Sequence, residues 1–165
     1  MARGMRVRLA TAALALAVLA SCGGVEPGSV APEAIADPTS AARPDTPNSA
    51  LACPERACTA AADWAVPAYP VSPEALFAAW REALAGAPRT TIVALDPARL
   101  LLLAQQRSAV FRFVDTITVR VLPADGGASF AALSRSEVGY DDFGVNESRL
   151  RGWQEEVGRR VGAGS

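Results

Sequence analysis

The residues best suited to chemistry crowd into Ser134–Leu150, S-R-S-E-V-G-Y-D-D-F-G-V-N-E-S-R-L. Two Arg, four carboxylates, two Gly and an Asn fall within these seventeen positions. Arg135, Asp142 and Arg149 would suit an anionic or carbonyl substrate, because guanidinium groups bind such oxygens with paired hydrogen bonds. The chain has no His, which removes Ser-His and Cys-His nucleophile pairs, imidazole metal ligands and imidazole pH switches. Glu137, Asp141 and Asp142 offer oxygen to a hard cation, but the D-x-D-x-D-G spacing of a calcium loop is missing, so neither metal nor cofactor is expected.

Each of these residues also has a plain structural use. Gly139 and Gly144 bracket Tyr140–Phe143 and suit a turn with positive φ. Asn146 is placed to cap a helix whose stripe is Leu150, Trp153, Val157 and Val161, with Glu147 in its first turn. Upstream, Phe111 to Val121 alternates with period 2 and puts a carboxylate, Asp115, on the apolar face. A buried carboxylate needs a cation. If Pro123–Gly127 is a five-residue turn, Arg135 on the returning strand lies opposite Asp115, and an Asp115–Arg135 pair is expected. The alternative is a bulge that turns Asp115 to water.

The elements that position these residues follow from pattern. Trp64–Val71 is extended by its two Pro. Ser72-Pro73-Glu74 predicts a helix start, Leu76, Phe77, Trp80 and Leu84 form its stripe, and Gly86 with Pro88 ends it. Arg89–Leu95 and Arg99–Arg107 read as strands, followed by the Phe111 strand and its partner Ala128–Glu137. The expected fold is α+β: a curved antiparallel sheet of about four or five strands packed by an N-terminal and a C-terminal helix, in the order strand, helix, four strands, helix. Phe111, Phe113, Trp80 and Trp153 would fill its interior or line a pocket for an apolar ligand.

The N-terminal part predicts location. Arg3, Arg6 and Arg8 precede a short apolar run, Leu9–Ala20, and residues 1–21 read as a secretory signal. Leu19-Ala20-Ser21-Cys22 resembles the bacterial lipoprotein box, so Cys22 is expected to be acylated and to anchor the chain in a bilayer. Gly23 in place of an acid favours the periplasmic side of the outer membrane in a two-membrane cell. Residues 22–52, with five Pro and no period, read as the lipidated Cys and a disordered tether, and 53–165 as one globular domain. In an oxidising compartment Cys53 and Cys58 are expected to form a disulfide. Beyond residue 21 the chain carries 13 basic and 17 acidic residues, a formal charge of −4, which argues against nucleic acid as a partner.

Ser134-Arg135-Ser136-x-x-Gly139, followed by Asp142-x-Gly144-x-Asn146-x-x-Arg149, resembles the family called domain of unknown function 1499. The likeness runs back through Phe111-x-Phe113-x-Asp115, Trp64-x-x-Pro67 and Cys58, over roughly residues 53–158. Glu137 and Glu147 stand where family members often carry a basic residue, and Ala57 where they often carry Asn. The resemblance implies an exported or membrane-associated protein and no particular activity. A binding domain for a partner or small apolar ligand is the first expectation. A hydrolase-like enzyme using the Arg/Asp cluster and a structural envelope spacer are the alternatives.

Overall fold

The computed structural model describes residue 28, residues 30–109 and residues 112–162. The signal segment, Cys22 and Phe111 lie outside the described residues. The fold is α+β, with a six-stranded mixed sheet and two helices. In chain order the elements are β1 (Ser49–Cys53), β2 (Trp64–Ala65), α1 (Pro73–Gly86), β3 (Thr90–Asp96), β4 (Leu101–Arg107), β5 (Val114–Ala124), β6 (Gly127–Ser136) and α2 (Val145–Gly162). The sheet order is β2-β1-β6-β5-β4-β3. All neighbours are antiparallel except β1 and β2, so the sheet is not the purely antiparallel one expected.

The sixth strand comes from the stretch expected to be tether. β1 is buried along its whole length and pairs with β6, Ser49 opposite Arg135 and Leu51 opposite Leu133. Residues 30–48 are likewise laid against the domain. Ile35 packs on Ala94 and Leu101, and Asp37 meets Arg120 at 3.2 Å. Arg43 donates to the Ser49 carbonyl at 2.9 Å and pairs with Asp63 at 2.8 Å. These anchors are single side-chain contacts and one five-residue strand buried on both faces, and neither produces a period of 2 or 3.6. The tether expectation therefore fails over 30–52.

α1 begins as its sequence dictates. The Ser72 hydroxyl accepts from the Ala75 N–H at 3.1 Å, Pro73 occupies the first turn, and the helix stops at Gly86. Both helices lie on one face of the sheet. Trp80, Leu76 and Leu84 of α1 and Leu150, Trp153 and Val157 of α2 close over Ile117, Val119, Phe130 and Ala132. The Trp80 and Phe130 rings meet edge to face with centroids 4.7 Å apart. Trp80 and Trp153 are thus core. Phe113, expected inside, is 47% exposed.

The β5–β6 hairpin turns on two residues, Asp125 and Gly126, with Ala124 opposite Gly127. The five-residue turn expected here is shorter because Pro123 and Gly127 belong to the strands. That difference moves the register by one residue, and one residue moves every side chain to the other face.

Candidate functional site

In the observed register Thr116, not Asp115, lies opposite Arg135, and Asp115 lies opposite Ser136. Asp115 therefore faces the helices, where it is 4% exposed, and Arg135 points to the other face with its side chain 45% exposed. The expected Asp115–Arg135 pair does not form. Arg135 instead sits 3.5 Å from Glu137, beside a groove lined by Thr116, Thr118 and Leu103.

The cation that Asp115 requires comes from α2. Arg149, the fifth residue of α2, donates from Nη2 to Asp115 Oδ2 at 2.5 Å, and both side chains are at least nine-tenths buried. Its Nη1 donates to Asn146 Oδ1 at 2.8 Å. The Ser134 hydroxyl donates to that same oxygen. The Asn146 amide group lies within hydrogen-bonding distance of Asp142 Oδ2, of Ser136 Oγ at 3.0 Å and of the Asn48 carbonyl at 3.1 Å. Asn48 in turn donates to the Gly139 carbonyl at 2.7 Å. One buried network thus joins β5, β6, the segment before β1, the loop before α2 and α2 itself.

Asn146 does not serve as the helix cap expected of it. α2 begins at Val145, so Asn146 lies in the first turn with its side chain fully buried. The capping is done by Asp142, whose carboxylate accepts from the Asn146 N–H at 2.8 Å and from the Gly144 N–H at 2.9 Å. A carboxylate there is also favoured by the helix dipole. Gly144, at φ +78, lets the chain turn from that carboxylate into the helix.

The structure thus brings together Asp115, Asp142, Asn146 and Arg149 and leaves Arg135 apart. Sequence reasoning missed Asn48 because it sits in the stretch read as tether, where no pattern marked it. Cys53 and Cys58 form the expected disulfide, closing a loop beside Leu51 and Ala131 on the face away from the helices. Cys22 lies outside the described residues. Chemically, the cluster is arranged to hold. Ser134 Oγ donates to an amide oxygen rather than to a base, Arg149 is spent on Asp115 and Asn146, and Asp142 is spent on backbone and amide N–H groups. A nucleophile needs a neighbouring base to activate it, and the network gives Ser134 an amide oxygen and a guanidinium instead.

The family described as "Protein of unknown function (DUF1499)" matches residues 39–157, and the chain belongs to it. The match begins ahead of Asn48 and β1, in keeping with their place in the fold. No curated protein matches the sequence. Among solved structures, the crystal structure of Ara h 8.0201 is 14% identical with a TM-score of 0.46, over 59% of this chain and 94% of its own. That of protein CV1439 from Chromobacterium violaceum is also 14% identical, with a TM-score of 0.35 over 71% of this chain and 96% of its own. Likeness this loose says nothing of ligand or activity.

Proposed function

We propose that this chain is an exported envelope lipoprotein, anchored by acylated Cys22, whose domain binds a ligand or partner without transforming it. What supports binding over catalysis is one observation: the polar groups of the motif are engaged with one another in a buried network. Catalytic groups are instead poised toward a site that a substrate can reach. Anchoring rests on the signal-like segment and the Leu19-Ala20-Ser21-Cys22 box. The periplasmic side of the outer membrane is the location that Gly23 favours. The interior is filled by Trp80, Phe130 and their neighbours, so the ligand belongs on the surface rather than between sheet and helices. A structural spacer is the second reading, favoured by the same filled core.

Native mass spectrometry of the full chain extracted from its own envelope tests this. The expected species is residues 22–165 carrying acyl groups on Cys22 and retaining a non-covalent ligand. An unmodified Cys22 overturns the anchoring. A ligand-free chain that converts a compound in envelope extract overturns the binding half.

A further inference from the structure

Four of the five large apolar side chains that stand exposed among the described residues belong to the loop between β6 and α2 and to the first residue of that helix: Val138, Tyr140, Phe143 and Val145. Phe143 is 93% exposed and Tyr140 73%. The aspartates of the same loop are held on its own backbone. Asp141 accepts the Phe143 N–H at 2.8 Å, which keeps Phe143 at φ +53, and Asp142 accepts the Gly144 and Asn146 N–H groups. The loop thus spends its carboxylates on shape and leaves its rings outward. Clustered exposed apolar groups mark contact sites, and aromatic rings suit the boundary between lipid headgroups and acyl chains.

The length of chain ahead of the domain indicates what meets this loop. The Gly28 N–H donates to the Val93 carbonyl on β3 at 2.8 Å, and Val30 packs on the cluster of Ile35, Ala94 and Leu101. Cys22 precedes Gly28 by only six residues, which span about 20 Å at full extension. An acylated Cys22 therefore keeps the domain on the bilayer instead of holding it clear. So short a leash also selects which end of the domain lies there. Thr90, Gln106, Asp115 and Ser136 form one row across β3, β4, β5 and β6, and the 137–144 loop leaves the sheet from Ser136. By strand geometry the root of the loop lies about 17 Å from Val93, within the leash. The Asp125-Gly126 turn at the other end of the hairpin lies about 25 Å or more from Val93, beyond it.

We propose that the 137–144 loop beds in the lipid surface to which Cys22 ties the chain, with Tyr140 and Phe143 at the boundary between headgroups and acyl chains and Val138 and Val145 beside them. This rests on the anchoring half of the reading above and names the surface that the domain meets. A few apolar side chains hold a free domain on a bilayer only weakly. The leash makes the contact intramolecular, so a weak affinity is enough to populate it. The contact is apolar and the loop carries carboxylates, so it needs no anionic lipid. The buried network then has a use. Asp142 fixes the loop to the start of α2 and Asn48 holds the Gly139 carbonyl, so the loop meets the bilayer already ordered.

The test uses the full chain, its acylation at Cys22 checked by mass, in phosphatidylcholine vesicles that carry a nitroxide on a fraction of their headgroups. With Cys22 acylated and Cys53 paired with Cys58, a Ser148→Cys or Asp125→Cys variant takes one bimane fluorophore. Ser148 is exposed in the first turn of α2, beside the loop, and Asp125 is exposed at the far turn. The expected quenching is about threefold or more stronger at Ser148 than at Asp125, which lies about 30 Å farther along the sheet. Tyr140→Ser with Phe143→Ser should cut the Ser148 signal by about half or more, because the apolar area that holds the contact is gone. Thirty Gly/Ser residues inserted after Gly24 should do the same, since they lower the local concentration of the loop at the bilayer by about tenfold. Thermal melts show that each variant is folded. Equal quenching at the two positions of an acylated chain overturns the contact, leaves the anchoring standing and gives the loop to a protein partner. A signal that the folded double variant keeps in full overturns the role of the rings, and one that the long tether leaves undiminished overturns that of the leash. An unmodified Cys22 overturns the anchoring and this contact together.

Discussion

Residues here carry roles that their type announces and partners that their type cannot. Asp115 on an apolar strand face requires a buried cation on elementary grounds, and it has one, but the partner is Arg149 on α2 rather than Arg135 across the hairpin. Asp142 takes the capping role expected of Asn146, and Asn146 enters the core. Nothing in residue type separates these options, because both side chains cap helices well. Tyr69 adds a pH-dependent contribution. Burial pushes its phenol above the usual value near 10, opposed by a hydrogen bond with the Gln154 side chain. The fold favours the neutral phenol, so this stability is complete below about pH 10 and is lost as pH rises through the folded value. Denaturant titrations from pH 8 to 11.5 should show the wild-type chain losing stability above about pH 10 more steeply than Tyr69→Phe. Parallel curves for the two chains would refute the assignment.

Elements were legible where a period or a cap was present. The Ser72 cap, the α1 stripe, the alternation in β5 and the α2 stripe each stand in the structure near their expected bounds. What escaped was register and what had no period. The Asp125-Gly126 turn shifts the hairpin register by one residue and so moves Arg135 to the far face. β1 is too short and too uniformly buried to alternate, and residues 30–48 are held by isolated side chains such as Asp37 and Arg43. Gly127 reports on this end of the hairpin. It holds φ +151, and a Cβ there would lie 2.0 Å from the Tyr69 carbonyl oxygen, which pairs with Ala128. Gly127→Ala is expected to cost about 2–4 kcal/mol in chemical denaturation, whereas Gly152→Ala, whose Cβ meets open space on exposed α2, is expected to stabilise by up to about 1 kcal/mol. Equal effects would mean that the Tyr69–Ala128 contact is not tight.

At the scale of the whole molecule, the family motif ties together parts of the chain that no single element links. Asn48 before β1, Ser134 and Ser136 on β6, Asp115 on β5, the 137–144 loop and α2 meet through side chains that are nearly all buried. Such a network is stable only when complete, because a half-satisfied one leaves a polar group or a charge in the core. It therefore works as a brace that holds the 137–144 loop and α2 against the sheet. A catalytic cluster behaves in the opposite way: its groups are held at some cost to the fold, and removing them leaves stability unchanged or raised. The double-mutant cycle of Asp115→Asn and Arg149→Met, followed by equilibrium denaturation of the full chain, separates the two most directly. The brace predicts that each single change destabilises by about 3 kcal/mol or more, and that the pair is coupled by about 1–3 kcal/mol, so that the double variant loses clearly less than the sum. Singles at or above wild-type stability, with no coupling, would contradict it.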